Sequence, residues 1–115
     1  MSAWRLTVRH GSNVSRERFA SLEAAIEELR RQAEAIRSEG PLPKVSSLRD
    51  FEPGQRVHAR LEISTGGLLR SRDAGIDVMG DGALVPYRGG LRRTELEPRR
   101  EQSPFDAIAE ALAPG

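Results

Sequence analysis

The chain has 115 residues, enough for one domain with one core and too few to divide without leaving two marginal ones. Apolar residues make up 37% and charged residues 30%, and the net charge is +1; this fits a well-hydrated globule and excludes a partner chosen by bulk charge alone. There is no cysteine, so disulfides and thiolate metal sites are excluded.

Trp4, Leu6 and Val8 alternate with Arg5, Thr7 and Arg9, the period of a strand with one apolar and one basic face. His10-Gly11-Ser12-Asn13 is a turn cluster, and residues 15–19 can return as a second strand. Glu17 then shares the inward face with Phe19, a charge placement that discourages edge-to-edge pairing. Residues 21–39 carry Leu22, Ala25, Ile26, Leu29, Ala33 and Ile36 at three- and four-residue steps, one stripe of an amphipathic helix. Ser21 suits its N-cap and Glu23 its first turn. Glu27 with Arg31, and Arg30 with Glu34, have i,i+4 spacing. Gly40 and Pro41 predict the stop.

Residues 45–51 allow a short strand, and Glu52-Pro53-Gly54-Gln55 has the central pair of a type II turn. Val57, Ala59, Leu61 and Ile63 alternate with His58, Arg60, Glu62 and Ser64, the clearest strand pattern in the chain. Residues 68–74 fit a short strand or a loop. Asp81-Gly82 fits a two-residue type I′ hairpin, which predicts Val78 opposite Val85 and Ile76 opposite Tyr87, all four on one face. Pro86 cannot donate to a ladder and marks an edge or an unpaired side. Residues 91–97 read as a weaker, charged strand. Ser103-Pro104-Phe105-Asp106 opens a second helix, with Phe105, Ile108, Ala109 and Leu112 as a short stripe that must dock to be stable.

No catalytic signature is present. None of the serines sits in a nucleophile-elbow pattern, and the glycine clusters Gly66-Gly67, Gly80-Asp81-Gly82 and Gly89-Gly90 lack the lysine and helix start of a phosphate loop. His10 at a turn and His58 on an outward strand face do not converge, so no metal site and no cofactor are expected. Asp73, Asp77 and Asp81 read as turn and solvated aspartates. The N-terminus holds no apolar run of signal-peptide type, and no stretch approaches a membrane span, which predicts a cytoplasmic protein without a membrane partner.

The basic side is nearly all arginine, with Lys44 the only lysine. Residues 1–18 hold Arg5, Arg9, Arg16 and Arg18 against Glu17 alone, and a hairpin places all four arginines on its outer face. The strand-strand-helix order, with Phe19-Ala20-Ser21-Leu22-Glu23-Ala24-Ala25 leading into the helix, resembles the arm-type DNA-binding modules of tyrosine recombinases. The resemblance covers the first third of the chain, lacks the third strand those modules place before the helix, and extends equally to other small α+β domains. It assigns no family.

These patterns predict one α+β domain over residues 1–115: a mainly antiparallel sheet of five or six strands packed on one long amphipathic helix, with a short C-terminal helix. The leading functional expectation is a small non-enzymatic interaction module that binds a protein or a second copy of itself. The alternative is a nucleic-acid-binding module using Arg5, Arg9, Arg16 and Arg18.

Overall fold

Trp4–His10 (β1) and Asn13–Phe19 (β2) form an antiparallel hairpin closed by Gly11-Ser12. Gly11 has φ +63°, the left-handed value that a type II′ turn requires at its first loop position. The computed structural model describes residues 4–39, 57–65, 72–89 and 93–113. The expected Gly40 cap, the strand at 45–51, the turn at 52–55, Gly66-Gly67 and Gly90 lie outside these residues.

The helix Leu22–Arg37 (α1) follows, with the Ser21 hydroxyl accepting from the Ala24 amide. Its ion pairs are Glu27–Arg30, Glu28–Arg31 and Glu34–Arg37, at i,i+3 and not at the expected i,i+4. Both spacings are neighbours on a helix surface, and Glu28, which also accepts from Gln32, draws Arg31 away from Glu27. Strands Val57–Thr65 (β3), Asp73–Met79 (β4), Leu84–Arg88 (β5) and Thr94–Glu95 (β6) complete the sheet, and helix Pro104–Leu112 (α2) ends the described chain. The strand order is β2-β1-β3-β4-β5-β6, with every neighbouring pair antiparallel. The expected α+β architecture is thus the observed one.

Alternation sorts the sheet into two faces. One carries Leu6, Val8, Ala59, Leu61, Ile63, Ala74, Ile76 and Val78, all buried under the helices. Ala25, Leu29, Ala33 and Ile36 of α1 meet this face over β1 and β3. Phe105, Ile108 and Leu112 of α2 cover β4 and β5. The nine-residue α2 carries a full capping box, Ser103 and Asp106 each bonding the other's backbone amide, with Pro104 in its first turn. Glu17 lies on the helix side at the exposed edge, and its charge, after the larger effect of Glu28, raises the Arg31 pKa.

The β4–β5 hairpin departs from its expected register by one residue. Val78 pairs with Leu84, Asp77 with Val85, Ile76 with Pro86 and Gly75 with Tyr87. The loop has three residues, Gly80, Asp81 and Gly82, bracketed by the Met79 amide donating to the Ala83 carbonyl. Gly82, at φ +90°, is the left-handed residue that closes such a loop. The Asp81 side chain accepts from the Ala83 amide and holds the turn. One extra loop residue reverses side-chain parity, so Val85 and Tyr87 lie opposite to Ile76 and Val78. The Pro86 carbonyl accepts from Leu96, so its missing N–H falls on the β6 side, where the ladder shrinks to two residues.

Candidate functional site

The sheet face away from the helices carries the chain's polar chemistry. Across its middle run Arg16, Thr7, Glu62, Gly75, Tyr87 and Glu95, one residue from each strand. The neighbouring row holds Arg9, Arg60, Asp77 and Val85. Gly75 has no side chain, and Tyr87 occupies the space above it, its hydroxyl donating to Glu62 at 2.7 Å. Tyr87 is 1% exposed. Burial, and then the Glu62 carboxylate, push its hydroxyl far above the ordinary phenol pKa.

Asp77 is also buried, not solvated as expected. Its Oδ1 accepts from Arg60 Nε at 2.8 Å, and its Oδ2 accepts from Arg60 Nη2 at 3.3 Å and from Arg93 Nη2. The Asp77 hydrogen bond holds the Arg60 guanidinium above its usual pKa. Arg93 stacks on the Tyr87 ring with its central carbon 4.0 Å from the centroid, and Arg60 approaches at 5.6 Å. Every buried side-chain polar atom among the described residues has a partner. The network is closed on itself and offers no free base or nucleophile among its members.

Beside it, on the same face, stands the basic hairpin. Arg5, Arg9, Arg16 and Arg18 are all exposed. Arg5 lies directly across from Arg18, Thr7 from Arg16, and Arg9 from Arg60 on β3. Among the described residues none of the four takes part in an ion pair. The structure therefore brings together the arginines that the sequence singled out.

It also brings together a set that the sequence reading kept apart. His10 Nε2 and His58 Nε2 are 3.2 Å apart, and Glu39 Oε1 lies 3.2 Å from the first and 3.7 Å from the second. The reason is a β-bulge. Val57 pairs with Met79 and Ala59 with Val78, which leaves His58 as the extra residue. Unbroken alternation would point His58 outward with Arg60; the bulge breaks that parity and lets it meet His10 at the end of β1. Glu39, two residues past α1, reaches the same rim. The expectation that the two histidines do not converge is therefore corrected. No local feature of Val57-His58-Ala59 announces the bulge.

No described helix is long and apolar enough to cross a membrane. No family model matches the chain, and searches of curated proteins and of solved structures find no match either.

Proposed function

We propose that the chain is a non-enzymatic interaction module that binds nucleic acid through the outer face of the β1–β2 hairpin. The observation that carries this reading is the like-charge pairing on that face. Arg5 opposite Arg18 and Arg9 opposite Arg60 are direct cross-strand neighbours of the same sign. Such pairs destabilise a sheet unless an anion lies over them. Arg60 is relieved by Asp77; Arg5 and Arg18 have no acidic partner among the described residues. A phosphate backbone laid across the hairpin supplies the missing charge, and arginine takes phosphate in bidentate geometry. The closed Tyr87–Glu62 and Asp77–Arg60–Arg93 network lies beside it on the same face and fixes Arg60 next to Arg9.

Titrating labelled random-sequence DNA and RNA at two salt concentrations tests this. Four phosphate contacts imply a log–log salt slope of about −3.6 on duplex DNA. Replacing Arg5, Arg9, Arg16 and Arg18 by glutamine should abolish binding and keep the fold, because none of the four is part of the core. Equal binding by wild type and the quadruple variant at about 0.15 M salt overturns the reading. A protein partner is the second reading, favoured by the seven-residue β2, which has one unpaired edge in the described sheet.

A further inference from the structure

We propose that His10, Glu39 and His58 form a binding site for one divalent transition-metal ion of the zinc type. Three electron-pair donors converge at the rim where β1 ends, β3 bulges and α1 runs out. Their separations are 3.2, 3.2 and 3.7 Å. Ligand atoms bound to a tetrahedral zinc at about 2.0–2.1 Å lie about 3.3 Å from one another. A point about 2 Å from all three atoms therefore exists, at the length of zinc bonds to imidazole nitrogen and carboxylate oxygen.

The donor chemistry narrows the ion. Two imidazoles and one carboxylate suit zinc, nickel and copper; calcium and magnesium require shells of oxygen. The two rings meet edge to face, with centroids 4.9 Å apart, so both nitrogens can aim at one point from different directions. The side chains of His10 and His58 are 30% and 15% exposed and that of Glu39 is 51% exposed, so solvent reaches the rim and a water can complete a fourth position.

The site borders the arginine face, since His58 lines a cleft with Arg9 and Arg60, and it spans three elements. A bound ion ties the end of α1 to β1 and β3, and stability should rise with ion concentration as mass action requires. The sheet and helix core lies elsewhere, so the metal-free chain should keep its fold.

Titration of tag-free, metal-stripped protein with zinc chloride, followed by calorimetry and thermal melting, tests the assignment. The expected result is one zinc per chain, a melting temperature that climbs with zinc, and no response to magnesium or calcium. Cobalt(II) should give the intense visible bands of four- or five-coordination. His10→Ala, His58→Ala and Glu39→Gln should each weaken zinc by more than the 10–100-fold that outer partners of a metal ligand are commonly worth. Glu39 is exposed, so its variant folds; zinc-induced shifts of both imidazole Nε2 resonances in wild type give a readout that needs no substitution. Absence of saturable micromolar binding, unchanged affinity in the three variants, or Nε2 shifts at only one ring overturns the proposal.

Discussion

Tyr87 lies directly across the β4–β5 ladder from Gly75, and the absent side chain at 75 is what lets the phenol reach Glu62. A Cβ at position 75 would stand 2.3 Å from the Leu61 carbonyl oxygen, 2.8 Å from Glu62 Cα and 2.8 Å from the Tyr87 hydroxyl. The first two are backbone atoms of β3 and cannot swing aside. Gly75→Ala should therefore destabilise by about 1–3 kcal/mol, the usual cost of overpacking. An unchanged denaturation midpoint would mean that β3 and β4 are spaced more widely than described.

Tyr87 is the only tyrosine, so its ionisation can be followed by phenolate absorbance alone. Burial first, and Glu62 second, raise its folded-state pKa above the unfolded value of about 10. The folded form therefore holds the proton more tightly than the unfolded form. The stability this confers is complete below about pH 10 and is lost as pH rises toward the folded value. Phenolate should appear only together with unfolding in an alkaline titration. A reversible phenolate step near pH 10 in the intact fold would contradict the burial of this side chain.

Leu29 is fully buried at the centre of the α1 stripe, between Ala25 and Ala33. Leu29→Ala should cost about 2–5 kcal/mol, the range for a leucine removed from a packed interior. A urea midpoint equal to that of wild type would show that the stripe does not carry the core.

The elements most legible in the sequence were those whose signals are local or long. The α1 stripe repeats over 16 residues, and Ser103-Pro104-Phe105-Asp106 encodes its own cap. The four-arginine face was legible because its hairpin alternates without interruption from Trp4 to Phe19 across a two-residue turn. Two of the departures are slips of a single residue. Asp81-Gly82 has the pattern of a two-residue turn, but Gly80 joins the loop and inverts the faces of Val85 and Tyr87. Alternation points His58 outward, but the bulge turns it toward His10. Strand side chains have a period of two, so one inserted residue exchanges core for surface. The Asp77 ion pairs depend on residues 17 and 16 positions away, a distance that alternation does not encode.

The two ends of the described sheet are unequal. At one end Pro86 halves the exchange with Leu96 and leaves β6 only two residues long. At the other, β2 has seven residues and no described strand beyond it. A sheet with two receptive ends can add copies head to tail without limit. In the described sheet β2 is the longer open edge, so copies that pair through it join β2 to β2 about a two-fold axis, with Glu17 opposing the contact. Such an assembly is complete at two chains, and the described β6 at the far end, two residues long, offers little ladder for growth into a fibre.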